Sequence, residues 1–360
     1  MIKKHNFSAG PAILPSEVMA EAAQAVVNFD DLGLSLLEIS HRSPAFVSVM
    51  DEAASLLKEL LGLGDDFEVL FLTGGASSQF FMVPANFLGE GEAAGYSNTG
   101  TWADKAIKEA KLYGHVHVLA SSKEANYTYI PRDYEIPAEL KYFHFTSNNT
   151  IFGTEYHWLP ETNVPLVCDM SSDFLSRPLV DAQKYGLIYA GAQKNLGPAG
   201  VTVVLVKKDF LANRKANRKL PTMLQYDTHV KEGSMFNTPP VFPIYVSMLT
   251  LRWLKKMGGL AAIATHNQQK AQVLYQEIDR NSMFEGTTAV ADRSLMNVCF
   301  VLKNAAHDAA FLEACEAVGC TDLKGHRSVG GFRASIYNAM PIESVEVLAK
   351  VMRDFEQKNG

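Results

Sequence analysis

The sequence predicts an α/β protein, with a large domain built on a mostly parallel sheet covered by helices and a smaller C-terminal α+β domain. Three observations carry that expectation. Short apolar runs of strand length alternate with segments of helical period through the first two thirds of the chain. At 360 residues the chain is too long for one simple core. After Gly258-Gly259, which reads as a hinge, the pattern restarts with a long helix and a new set of strands. The expected division is an N-terminal segment, residues 1–15, packing near the active site, a large domain over residues 16–257, and a small domain over residues 258–360.

Taken in order, Pro15 and Ser16 open an amphipathic helix reaching about Phe29. Ser43 followed by Pro44 is an N-cap and first-turn pair for a second helix, AFVSVMDEAASLLKELLGL. FEVLFL then reads as a strand, SSQFFMVPANFL as a helix, EAAGYS as a strand and TWADKAIKEAKLYG as a helix. VHVLA, LKYFHFT, VPLVCD, LIYAGA and VTVVLV follow as strands. Ligands of such sheets bind beyond the strand C-termini, and Thr73, Ser97, Thr146, Asp169 and Gln193 all fall at such ends. A helix over residues 241–257 precedes the paired glycines and LAAIATHNQQKAQVLYQEI follows them as another. LMNVCFVL, DAAFLEACEAVG, GGFRASIY and SVEVLAKVMRDFEQ close the chain as strand, helix, strand, helix. The NRKANRK stretch from Asn213 reads as a solvated basic patch.

A net charge of −6 argues against nucleic acid as the main partner, so any anionic substrate must be held by a local cluster of cations. The four cysteines, Cys168, Cys299, Cys315 and Cys320, show no metal-type spacing and suit reduced, buried thiols. No apolar run reaches membrane-spanning length, and the basic start of the chain lacks an apolar leader core, so a cytoplasmic protein is expected.

The chemistry concentrates in residues 164–198. Two apolar runs there each end in one charged residue, Asp169 and Lys194. A carboxylate and an amine presented from neighbouring strands suit pyridoxal phosphate, whose aldehyde condenses with a lysine and whose ring nitrogen is kept protonated by a carboxylate. Burial lowers a lysine pKa and makes the neutral amine available. The turn Thr73-Gly74-Gly75-Ala76-Ser77-Ser78-Gln79 joins a strand to a helix, as a phosphate cradle does, although any tight turn uses glycine. Trp102 opens a helix and fits either a core position or a face stacked on a flat cofactor. His41, Arg42, His326, Arg327 and Arg333 are candidate anion receptors, and Arg333, set in the strand-like GGFRASIY, has the least reason to be there otherwise. His115 and His117 share a strand face without an evident third metal ligand, and read as surface residues.

The segments NFSAGPAILP, EISHRS, GGASSQF, NTGTWADKAIKEAK, FTSNNTIFGTE, CDMSSDFLSRP, YAGAQKNLGPAGVT, NTPPVFPIY and GGFRASIYNAM span nearly the whole chain. Together they resemble the phosphoserine aminotransferases, class V members of the fold-type I pyridoxal phosphate enzymes. The resemblance implies that Lys194 bonds the cofactor and Asp169 pairs with its pyridine nitrogen. It further implies that Trp102 stacks on the ring, Thr150 bonds its phenolic oxygen, and Ala76, Ser77 and Gln193 hold the phosphate. Asn237 and Thr238 would reach that phosphate from the other subunit of a homodimer. Arg333 would clamp the substrate α-carboxylate. His326, Arg327 and the partner's Arg42 would receive the phosphoryl group or distal carboxylate. The implied reaction is ping-pong transamination from glutamate to 3-phosphohydroxypyruvate, with a related phosphorylated hydroxy-oxobutanoate as second acceptor. One departure stands out: many members carry arginine where this chain has Ser77, so Arg42 is expected to take more of the distal anion. A cysteine desulfurase of the same fold would need a mobile, exposed thiolate, which none of the four cysteines promises. A non-catalytic metabolite binder would leave the Asp169–Lys194 pair unexplained.

Overall fold

A computed structural model describes residues 4–213 and 215–360; residues 1–3, at the basic start of the chain, and Arg214, within the NRKANRK stretch, lie outside the described residues. Strand β1 (His5–Asn6) begins the described chain and is followed by helices α1 (Ser16–Val27) and α2 (Pro44–Leu61). The Ser43 hydroxyl accepts from the Phe46 amide and caps α2 as expected, an interaction worth about 1 kcal/mol. Next come β2 (Phe67–Leu72), α3 (Gly75–Phe87), β3 (Ala93–Asn98), α4 (Thr101–Ala110), β4 (His115–Ser121) and β5 (Phe143–Thr146). A small hairpin of β6 (Asn148–Asn149) and β7 (Thr154–Glu155) precedes β8 (Leu166–Asp169), β9 (Tyr185–Gly191) and β10 (Thr202–Lys207). Short helices α5 (Lys208–Asn213) and α6 (Tyr226–Lys231) lead into α7 (Val241–Lys256) and α8 (Gly259–Arg280). The chain closes with β11 (Phe284–Gly286), β12 (Asn297–Leu302), α9 (Asp308–Ala317), β13 (Cys320–Thr321), β14 (Phe332–Ser335) and α10 (Ile342–Asn359).

Seven strands form the central sheet in the order β2-β10-β9-β8-β5-β3-β4. Every pairing from β9 to β4 is parallel, while β10 runs antiparallel to both its neighbours. The reversal follows from chain length. A parallel return needs a crossover of about a dozen residues or more. Residues 192–201, between β9 and β10, form a hydrogen-bonded turn instead.

Alternation along the strands sorts the core into two layers. On β10, Val203 and Leu205 join the cluster under α1, α2 and α7, while Val204 and Val206 join the one under α3 and α4. On β8, Leu166 and Cys168 face the first layer and Val167 the second. Asp169 has the parity of Val167, so the strand directs its carboxylate toward α3 and α4. Emptying a position such as Leu205 would cost about 2–5 kcal/mol.

A third cluster lies between α8, α9, α10 and the three-stranded sheet β11-β12-β14. Helix α8 bridges the cores, with Leu260 and Ile263 in the larger one and Leu274 and Ile278 in the smaller. Both Gly258 and Gly259 take positive φ where α7 gives way to α8. The N-terminal segment crosses to the far end of the chain: β1 pairs in parallel with β13, and Phe7 is buried in the C-terminal core. Arg218 of the basic stretch is no solvated charge, because it donates to the Leu88 and Tyr113 carbonyls and lies over the Tyr113 ring. His115 and His117 are exposed on β4, the sheet's edge strand.

Candidate active site

A cavity of about 310 Å³ opens at the C-terminal ends of β5, β8 and β9. At one end, α3 begins at Gly75 behind Gly74, whose φ of 97° is left-handed. A Cβ there would lie 1.7 Å from the Ser78 hydroxyl, so only glycine fits. The turn aims the first amides of α3, which have no partners inside the helix, at the cavity along Gly75, Ala76 and Ser77. Ser77 itself is exposed. Trp102, in the first turn of α4, forms one wall; its indole N–H is buried without a partner. The Thr146 hydroxyl, at the end of β5, is likewise buried and unpartnered. Such atoms carry a cost that a bound polar group would remove.

The floor holds the two predicted ionisable residues. Asp169 ends β8, is 3% exposed, and accepts from the Ser171 amide at 2.9 Å. Burial pushes its carboxyl above the usual range, with the Ser171 hydrogen bond and the Lys194 charge pulling the other way. Lys194 follows β9 in the turn closed by Gly197 donating to Ala192 at 2.8 Å. Its amine donates to Thr150 Oγ1 at 2.8 Å and to Ser172 Oγ at 2.6 Å. Burial brings its pKa down to about 8; Asp169 opposes the shift and Arg333 adds to it. The N-terminal segment lies against the lysine stem. A Cβ on Gly10 would be 3.4 Å from Lys194 Cγ, and the Ala12 amide donates to the Gln193 carbonyl at 2.9 Å.

Thr150 comes from the turn of the β6–β7 hairpin, two-residue strands that no periodicity reveals. Its carbonyl accepts from Arg333 Nη1 at 3.3 Å. Arg333 projects from β14 opposite Cys299, lines the cavity, and has no carboxylate partner among the described residues. His326 also lines the cavity, with Nδ1 2.7 Å from the Ser328 hydroxyl. Burial lowers its pKa, and the charges of Arg333, Arg327 and Lys105 lower it further. Lys105, which the sequence reading passed over, sits 4.5 Å from the centre of the Trp102 indole and adds to the positive field at the mouth. Its spacing three residues after Trp102 on a helix was the available signal.

Of the predicted site residues, Ala76, Ser77, Trp102, Thr150, Asp169, Gln193, Lys194, His326 and Arg333 line one cavity. The others do not. Arg327 is exposed beside His326. Arg42 is exposed and donates to the Met235 carbonyl at 3.4 Å, and Asn237 and Thr238 are exposed close by in sequence. His41 is half-buried, with its Nε2 unpartnered. Sequence reasoning also missed Ser171 and Ser172; the available signal was the doubled serine after Asp169-Met170, polar residues just past a buried strand end. All four cysteines are buried, and burial pushes Cys320 up to about 11 and Cys299 up to about 12, against thiolate chemistry. A second cavity of about 330 Å³ lies by Trp158, where Asp173 and Arg177 are already paired with each other.

The residues fit pyridoxal phosphate: a helix N-terminus for a dianion, an indole face for a ring, a buried carboxylate for a cationic nitrogen, and a buried amine for an aldehyde. Comparison with known proteins points the same way. Residues 4–348 match the family model described as aminotransferase class-V. A phosphoserine aminotransferase of Flavobacterium johnsoniae is 59% identical over 358 residues, covering 99% of this chain and all of that one. The solved phosphoserine aminotransferase from Bacillus circulans subsp. alkalophilus superposes with a TM-score of 0.96 at 47% identity, covering 99% of each chain. The phosphoserine aminotransferase from Trichomonas vaginalis, solved with pyridoxal phosphate bound, superposes at 0.93 with 39% identity, covering 98% of this chain and all of that one.

Proposed function

The chain belongs to the class-V aminotransferase family and, within it, to the pyridoxal phosphate-dependent phosphoserine aminotransferases, and from that premise we propose that it moves the amino group of glutamate onto 3-phosphohydroxypyruvate, releasing 2-oxoglutarate and O-phosphoserine. The observation that carries this reading is one cavity holding a buried amine, a buried carboxylate and an arginine with no carboxylate partner among the described residues. When bound, pyridoxal phosphate supplies an electron sink for the bond broken at the substrate Cα.

The chain's own groups take the remaining roles. Asp169 offers a buried carboxylate to the ring nitrogen, which lifts its burial penalty. Trp102 gives a flat apolar face, and Thr150 a hydroxyl for the ring oxygen. The α3 amides at Ala76 and Ser77, with the Gln193 side chain, receive the phosphate. Lys194, neutral in part near pH 8, accepts the Cα proton and returns it. Arg333 pairs with the α-carboxylate common to both substrates. His326 and Arg327 face the distal anion.

Arg42, His41, Asn237 and Thr238 complete the site from a second copy of the chain in a homodimer with shared active sites. Arg42, Asn237 and Thr238 are exposed and His41 is half-buried, all outside this chain's own cavity, which supports that arrangement. The large domain spans residues 16–257 and the small one residues 258–360, after an N-terminal segment of which Ala9 and Gly10 lie at the cavity; the paired positive-φ glycines at the junction support the boundary. Among the described residues no helix is long and apolar enough to cross a membrane. Four buried free thiols support a cytoplasmic enzyme. The same distal end would take the phosphorylated hydroxy-oxobutanoate, giving 4-phosphohydroxy-threonine on a route to pyridoxine.

Aminotransfer from glutamate, assayed side by side with the two phosphorylated acceptors, tests the proposal. Turnover is expected with both, and the ratio of the two rates gives the balance between them. No transfer to either, in a protein that carries the cofactor, would overturn it.

A further inference from the structure

Ser172 has no part in the reading above, yet it makes the shorter of the two hydrogen bonds to the Lys194 amine, 2.6 Å against 2.8 Å for Thr150. It is 3% exposed. The Ser172 and Thr150 hydroxyls also bond each other, so amine and hydroxyls form a closed triangle. Its corners come from three separate segments: the loop after β8, the β6–β7 turn and the turn after β9.

Counting donors shows what this triangle selects. A neutral amine has two N–H donors and one lone pair, whereas an ammonium has three donors and none. Two hydroxyl acceptors account for both N–H groups of the neutral form. No carboxylate pairs with the Lys194 amine among the described residues, which leaves a third N–H without a partner of that kind. With both N–H groups directed at hydroxyls, the lone pair has only the remaining tetrahedral direction.

The Ser172 backbone is fixed as firmly as its side chain. Asn195, next to Lys194, donates to the Ser172 carbonyl at 3.3 Å, and the Asn338 amide anchors that Asn195 at 3.0 Å. One residue earlier, the Ser171 hydroxyl accepts from the Gly191 amide at 3.1 Å, tying the loop after β8 to the end of β9. A single turn therefore places the Asp169 carboxylate and the holder of the Lys194 amine together.

Building on the reading of Lys194 as proton carrier, we propose that Ser172 is a positioning residue that holds the lysine amine and points its lone pair at the substrate proton. Thr150 shares the amine but is also assigned to the cofactor ring; the Ser172 hydroxyl has no such assignment and bonds the amine and the Thr150 hydroxyl. With the cofactor attached, the nitrogen carries a single N–H and only when charged, so a hydroxyl that accepts from it favours the charged form of the resting holoenzyme.

The test compares Ser172→Ala, Ser172→Thr and Lys194→Ala holoenzymes. Single-turnover rates with glutamate carrying hydrogen or deuterium at Cα report the proton transfer. Separately, the pH midpoint of the visible cofactor band, without substrate, reports the nitrogen's surroundings. Ser172→Ala is expected to slow transfer by about tenfold to a hundredfold, with a larger deuterium effect. Its midpoint should fall by about half a unit, the scale of one lost hydrogen bond. Ser172→Thr, which keeps the hydroxyl, should restore both readouts. An unchanged midpoint and isotope effect in Ser172→Ala would overturn the proposal. So would a Ser172→Thr protein as impaired as Ser172→Ala at the parent's melting temperature. Should Lys194→Ala still turn over, the functional reading itself fails; should Lys194→Ala be inactive while Ser172→Ala matches the parent, only the role of Ser172 falls.

Discussion

The floor and the rim of the cavity are built in opposite ways. On the floor, Asp169 and Lys194 sit at or just beyond strand ends, are 3% and 9% exposed, and are fixed by short hydrogen bonds to Ser171, Thr150 and Ser172. At the proposed rim, Arg327 is exposed beside His326, and Arg42, which lies outside this chain's own cavity, is exposed with a long 3.4 Å contact to Met235. The floor is complete within one chain. The rim, in the proposed dimer, is not. In the proposed reaction, this difference separates a cofactor function that needs fixed geometry from a substrate function that would accept two differently sized anions in turn.

If the floor is the chemical half, its loss should be the most severe. Lys194→Ala is expected to lower turnover by at least about ten-thousand-fold, since nucleophile and proton carrier vanish together; steady-state rates check this. Asp169→Asn should cost about a hundredfold to a thousandfold in kcat. It also sharpens the comparison through pH. An anionic neighbour raises the Lys194 pKa and a cationic one lowers it, so the midpoint for cofactor reattachment to the stripped protein should fall below about 8 in Asp169→Asn and rise above it in Arg333→Ala. On the rim, Arg333→Ala should raise KM for glutamate and for the phosphorylated acceptor alike by about tenfold to a hundredfold, the worth of a charge-assisted pair. Arg42→Ala should raise KM for the phosphorylated acceptor by about tenfold and leave alanine as amino donor untouched; an equal loss with alanine would merge rim and floor. The smallest effect expected is a weakening of cofactor affinity by about threefold in Asn237→Ala, measured by equilibrium dialysis, and only at concentrations where the dimer persists.

The same contrast governs what the sequence disclosed. Asp169 and Lys194 were legible because a buried strand leaves an apolar run, and a lone charge at its end needs a reason. Arg333 was legible for the same cause. Thr150 entered only through resemblance, because its hairpin is too short to leave a period. Ser172 went unseen since a serine after a strand looks like any loop residue until the lysine appears 2.6 Å away. The reversed β10 was hidden because alternation carries no direction, although the short span from 192 to 201 held the clue. The pairing of β1 with β13 joins two-residue strands some three hundred positions apart, and no local pattern encodes that.

That pairing bears on how the protein is made. The His5 amide donates to the Gly319 carbonyl, the Ser335 amide to the Phe7 carbonyl, and the Tyr337 hydroxyl to the Ala9 carbonyl, so the segment that lies over Lys194 is held in place by residues synthesised long after it. On the ribosome, the central sheet can assemble while Ala9 and Gly10 still lack their anchors. Cofactor capture would then wait for the last part of the chain to emerge, and nascent chains stopped before Gly319 should fold their sheet yet leave Lys194 uncovered.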